Sequence, residues 1–145
     1  MWIGIDIGTH TARAAWLGAG GRPELVQLPG GGTALPALAR QTMHGLRVGA
    51  ELADTLVGNA ETTVVGCTRL MGRAGQLPAE LLARLPYPVR EQAGEAVCDL
   101  LYAEVRAAEV YGALVRELAG AAERATGEPV GEVVLTVPAS AEDRF

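Results

Sequence analysis

The stretch from residue 104 to residue 138 most constrains the fold of this chain. Val110, Leu114, Leu118 and Ala122 recur every four residues with Tyr111 and Val115 beside them, while Arg106, Glu109, Arg116, Glu117 and Arg124 lie opposite. That pattern is the apolar stripe of an amphipathic helix, predicted from about Glu104 to Ala125. Gly127 followed by Pro129 supplies its stop, and the β-branched run from Glu132 to Val137, closed by Pro138, reads as a strand. A helix that feeds a strand in this way implies a crossover onto a central sheet, hence an α/β fold.

The front half supplies candidate partners for that strand. Trp2 to Ile7 is a short Ile-rich run broken by Gly8, and Ala12 to Leu17 follows a tight Gly-Thr turn, so the two are predicted as a hairpin. Glu24 to Leu28 reads as a third strand, and Pro29-Gly30-Gly31-Gly32 as an exposed loop. Ala34 to Arg40 and Leu46 to Val48 read as strands around a turn at His44-Gly45. Leu52, Leu56 and Val57 give Ala50 to Val57 helical spacing. Thr62 to Ala83 is predicted to hold short helices. Val97 to Tyr102 reads as a strand, although the same apolar run fits the start of a helix. Trp2 and Trp16 flank the first hairpin and read as core or interface anchors. Pro86-Tyr87-Pro88 reads as a stiff loop brace, and Glu95, Asp99 and Glu104 as a solvated face.

Composition removes several function classes. The chain has 145 residues, enough for one domain and too few for two full lobes around a deep cleft. A net charge of −5 is not the footprint of a nucleic-acid binder. All 12 basic residues are Arg, so there is no Lys for a P-loop or for Schiff-base chemistry. Cys67 and Cys98 form no C-x-x-C pair and only 2 His are present, so no zinc-ligand spacing exists. Both thiols read as small buried hydrophobes. No apolar stretch reaches the roughly 20 residues of a membrane span, and the first residues lack the basic region of a secretion signal. The expectation is a cytoplasmic protein with no membrane and no nucleic-acid partner.

Chemistry concentrates in Gly4-Ile5-Asp6-Ile7-Gly8-Thr9-His10-Thr11. Alternation places Ile3, Ile5 and Ile7 on one face and Asp6 on the other, towards a cleft. Gly8 permits a turn whose backbone N–H groups converge into an anion-binding concavity, with the Thr9 and Thr11 hydroxyls as further donors. A lone carboxylate beside such a nest would repel phosphate unless a divalent cation intervened, so Asp6 is predicted to hold Mg²⁺ through its water shell. An ordinary hairpin accounts for the same residues without a ligand.

The run M-W-I-G-I-D-I-G-T-H-T-A-R-A-A resembles the first phosphate loop of the actin-like ATPase superfamily. Leu46-Arg47-Val48-Gly49-Ala50, Arg69-Leu70-Met71-Gly72-Arg73, Gly127-Glu128-Pro129-Val130 and Val133-Val134-Leu135-Thr136-Val137-Pro138-Ala139 are similar, in order, to segments of DnaK-type heat-shock chaperones. The resemblance implies the N-terminal lobe of the actin-like ATPase (ribonuclease H-like) fold, a mixed sheet with a long crossover helix. It also implies ATP and Mg²⁺ as ligands, with Gly8, Thr9, His10 and Thr11 on the phosphates and Asp6 on the metal's water. On this view residues 1–145 are the first lobe of a nucleotide-binding domain, and the second lobe and the peptide-binding domain lie outside them. Client proteins and co-chaperones would then belong to a full-length parent.

Three departures accompany the resemblance. His10 replaces the second Thr of the loop; its ring can still donate to a phosphate, more strongly when protonated. Thr68 stands where the family has a catalytic Lys; it can orient a water but supplies no charge, and Arg69 or Arg73 could swing in to supply it, although both match family positions with structural roles of their own. Pro138 resembles a proline that relays nucleotide state, or simply ends its strand; Ser140, Ala141 and Glu142 replace the aromatic and Asn that follow in the family. The isolated chain is therefore expected to be catalytically impaired, with an exposed sheet edge open to self-association. Two other readings stand beside this one: a non-catalytic interaction scaffold built on the lobe, and a fragment of an actin-like sugar kinase.

Overall fold

A computed structural model of the chain describes residues 1–71 and 77–137. The first strands are β1 (Trp2–Ile7), β2 (Thr11–Leu17), β3 (Pro23–Leu25), β4 (Leu35–Pro36), β5 (Leu38–Thr42) and β6 (Gly45–Arg47). After them come β7 (Thr63–Val65), a one-turn helix α1 (Ala79–Leu82), β8 (Val89–Gln92), β9 (Glu95–Asp99) and β10 (Glu104–Arg106). The long helix α2 (Ala107–Thr126) and strand β11 (Glu132–Leu135) follow.

The main sheet has the order β11-β1-β2-β3, with β4 also paired to β2. β1 and β2 are the predicted hairpin, antiparallel with Ile5 opposite Ala14 and Asp6 opposite Arg13. β11 runs parallel to β1 on its other side, with Gly4 opposite Val134 and Ile5 opposite Leu135. The sheet is therefore mixed, and α2 is the connection that returns the chain to it. Gly127, in the left-handed conformation at φ 74°, ends the helix and donates its N–H to Glu123 O at 2.8 Å; only glycine adopts that conformation freely. The Met1 ammonium then donates to Pro129 O at 2.7 Å, and Gly131 N–H donates to Met1 O at 2.9 Å, which aligns β11 with β1.

The core lies between one face of this sheet and α2. Ile3, Ile5, Ile7, Ala12 and Ala14 meet Val110, Leu114, Leu118, Ala121 and Ala122, all buried. Burial of Leu114 and Leu118 contributes about 1.5–3 kcal/mol each. The opposite face carries Gly4, Asp6 and Arg13 in solvent. Two smaller antiparallel sheets, β10-β9-β8 and β6-β5-β7, complete the described structure.

Several predicted elements take a different form. The helix begins at Ala107, because Glu104–Arg106 pairs with β9 as a strand and the Glu109 carboxylate reaches back to accept the Arg106 N–H at 2.7 Å. Residues 50–57 form no α-helix; 3₁₀ turns occupy Ala50–Leu52 and Val57–Thr62, and Asn59 at φ −133° breaks the second. Of the apolar residues behind that prediction only Leu52 is buried, and Val57 is 96% exposed. The third strand stops at Leu25, because the glycine loop folds back and Leu28 N–H bonds Gly32 O. β9 ends at Asp99, where Leu100 N–H turns to Ala103 O and leaves Leu101 and Tyr102 exposed.

Glu95, Asp99 and Glu104 are paired rather than merely solvated: Arg106 meets Glu95 at 3.0 Å, and Arg90 bridges Asp99 at 3.2 Å and Glu104 at 2.7 Å. Strand pairing, not sequence spacing, brings these charges together, and solvent screening keeps such exposed pairs weak. Trp16 packs on the core, whereas Trp2 is 61% exposed. Cys67 and Cys98 are buried free thiols, as expected, and burial pushes each up to about 12. Tyr87 is buried too, so the Pro-Tyr-Pro brace contributes its ring to the core. Among the described residues no helix is long and apolar enough to cross a membrane.

Candidate functional site

The turn between β1 and β2 is closed by Gly8 N–H donating to Thr11 O at 2.9 Å. A Cβ on Gly8 would sit 3.3 Å from that same oxygen, a tight contact that the turn would have to yield a few tenths of an ångström to admit. Gly8 is not among the glycines with positive φ, so what it offers here is room at a close approach of two backbones. With the turn pinned this way, the N–H groups of Thr9 and His10 have no acceptor among the described residues. Two unpaired donors in succession at an exposed turn are what an anion-binding nest requires.

Backbone bonds brace the turn from behind. Ala37 N–H donates to His10 O at 2.8 Å, and Gly66 N–H donates to Ala37 O at 3.4 Å. Gly66, at φ 60°, lies against Thr9: a Cβ there would stand 3.5 Å from Thr9 Cγ2. The structure thus brings the 3₁₀ turn Cys67–Arg69, which begins after Gly66, to the flank of the loop. Cys67 anchors that turn in the core, and Thr68 is half-buried with no hydrogen bond to its hydroxyl among the described residues. Arg69 is exposed and has no ion pair among the described residues. Arg73, Pro138, Ser140, Ala141 and Glu142 lie outside the described residues.

Asp6 lies exposed on the open face of the sheet, one residue from the turn's first strand end. Its Oδ1 accepts the Thr136 hydroxyl at 2.6 Å. Oδ2 takes no hydrogen bond and Asp6 makes no ion pair with Arg13, among the described residues. The described residues contain no group of three or more His, Cys, Asp or Glu able to enclose a metal. A single carboxylate with one free oxygen fits a cation that keeps most of its water, as Mg²⁺ does, and not a cation held in a protein cage. Thr136 was not singled out from the sequence as a site residue. It stands beside Asp6 only because β11 pairs in parallel with β1, a register set across 130 positions.

This loop, the turn at Thr68 and the parallel strand all fall within residues 2–144, which match the family model described as Hsp70 protein. The chain belongs to the Hsp70 family. Its fold is accordingly the actin-like ATPase fold, and the match falls in the N-terminal nucleotide-binding region of these chaperones, apart from the sugar kinases. Curated relatives include chaperone protein dnaK3 of Synechococcus elongatus, 34% identical over 97% of this chain, and dnaK3 of Thermosynechococcus vestitus, 33% identical over 97%. Chaperone protein dnaK of Emiliania huxleyi is 31% identical over 97%. This Hsp70 chain spans 19%, 21% and 23% of these relatives' lengths, about a fifth. Hsp70 proteins in general bind ATP with Mg²⁺, and also client proteins and co-chaperones.

Proposed function

We propose that residues 1–145 form the first lobe of an Hsp70-type ATP-binding cleft, with the Gly8–Thr11 turn receiving the nucleotide phosphates. The observation that carries this reading is the pair of unpaired N–H groups at Thr9 and His10 beside a carboxylate with one free oxygen. Thr9 and Thr11 add hydroxyl donors, and the exposed His10 ring adds an imidazole N–H. Asp6 Oδ2 orients water of a bound Mg²⁺, which when present neutralises phosphate charge. Thr68 flanks the loop at the place of the family lysine; it can hold a water and brings no charge. In this reading the remaining walls of the cleft come from the rest of a longer, cytoplasmic chaperone, whose clients and co-chaperones bind elsewhere on it.

Isothermal titration of the 145-residue chain with Mg-ATP tests the proposal. Weak binding that is lost in Asp6→Asn and lost when Mg²⁺ is withheld is expected. Sub-micromolar affinity, or measurable hydrolysis by this chain alone, contradicts it, as does weak binding that ignores both changes.

Thr68 also favours a second reading, in which the lobe is kept as an interaction scaffold without turnover. Thr68→Lys separates the two: on an ATP-binding lobe the added charge tightens Mg-ATP by roughly tenfold, the worth of one charge-assisted hydrogen bond. On a scaffold it changes nothing.

A further inference from the structure

We propose that Thr136 is a positioning residue for Asp6, fixing one carboxylate oxygen so that the other is held ready for the water shell of a cation. The inference rests on the reading of Asp6 given above. Every polar atom of Thr136 is engaged. Its N–H donates to Ile5 O at 3.0 Å, continuing the β11–β1 ladder; its carbonyl accepts the Tyr111 hydroxyl at 3.2 Å; its own hydroxyl donates to Asp6 Oδ1 at 2.6 Å. β1 holds the residue from one side and α2 from another, so the hydroxyl is delivered to Asp6 from a backbone that is itself tethered.

Packing does not account for a hydroxyl at this position. Val133, Val134, Leu135 and Val137 around it are all apolar, and Val matches the shape and strand preference of Thr. The difference between Thr and Val here is the bond to Asp6. A hydroxyl donating to a carboxylate makes a short, strong bond, whereas an exposed aspartate without one changes rotamer within picoseconds to nanoseconds. Thr136 thereby converts a mobile surface carboxylate into an oriented one.

The test compares the wild-type chain with Thr136→Val and Thr136→Ser by NMR. Couplings across the Asp6 χ1 bond report its rotamers, and broadening of the Thr9 and His10 amides during a Mn²⁺ titration reports the cation. The wild type and Thr136→Ser are expected to show one Asp6 rotamer and similar Mn²⁺ binding. Thr136→Val is expected to show averaged couplings and Mn²⁺ binding weaker by roughly tenfold, the loss typical when a metal-facing group loses its supporting bond. An amide spectrum otherwise unchanged in Thr136→Val excludes a general loosening of the sheet. If Thr136→Val leaves the couplings or the Mn²⁺ binding as in wild type, or if Thr136→Ser fails to restore them, the positioning role is overturned while the reading of Asp6 stands. If Mn²⁺ broadens neither amide in the wild type, the reading of Asp6 falls and the role falls with it.

Discussion

Raising the pH tests how firmly Cys67 is seated, and with it the turn that carries Thr68 to the flank of the loop. Burial lifts the Cys67 and Cys98 thiols from 9.0 to about 12, so the unfolded chain releases these protons at lower pH than the native chain. Stability is therefore complete below about pH 9 and falls as the pH rises from 9 towards 12. At about pH 10 an unfolded thiol is roughly nine-tenths ionised and a native one almost un-ionised, a difference of about 1 to 2 kcal/mol per thiol and about 2 to 4 kcal/mol for the pair. The buried Tyr87 phenol, also raised, adds in the same direction. Urea unfolding followed by circular dichroism measures this directly. With a slope of about 2 kcal/mol per molar, the midpoint drops by about 1 to 2 M between about pH 8 and pH 10. A midpoint unchanged over that interval refutes the burial argument, as does native labelling of both thiols at about pH 8 at the rate of a free cysteine.

Two other expectations concern the scaffold. Leu118→Ala, at a fully buried position on α2, costs about 2–5 kcal/mol of stability, measured by thermal or urea unfolding; a loss below about 1 kcal/mol contradicts the packing of α2 on the sheet. β11 exposes Val133, Val134 and Leu135 at the edge of the main sheet, and exposed apolar edges associate. Sedimentation is expected to show self-association that Val134→Lys reduces, and identical behaviour of the two chains removes the edge as its cause.

Much of this was legible in the sequence because it rests on local pattern. The β1–β2 hairpin follows from alternation about Gly8, and the α2 stripe from its four-residue recurrence, so each element carries its own signal. The Gly8–Thr11 turn was legible for the same reason. What escaped depends on pairing between distant segments. Glu104–Arg106 has helical company in sequence yet becomes a strand because β9 is available to it. The ion pairs of Arg90 and Arg106 exist only once β8, β9 and β10 are aligned. Thr136 reads as one more β-branched residue until the parallel register sets it against Asp6. The 3₁₀ turns over residues 50–62 escaped for a different reason: their apolar residues have helical spacing but almost no core to face.

In the proposed function the Gly8–Thr11 turn and Asp6 receive the phosphates and metal of a nucleotide. Amide chemical-shift mapping of the 145-residue chain with Mg-ATP, and then with ATP in excess chelator, tests it most directly. The largest shifts are expected on Gly8, Thr9, His10 and Thr11, with Gly66 and Thr68 next, and they are expected to shrink without Mg²⁺ and in Asp6→Asn. Largest shifts at any other surface, or shifts at the turn that Mg²⁺ and Asp6 do not affect, would contradict it.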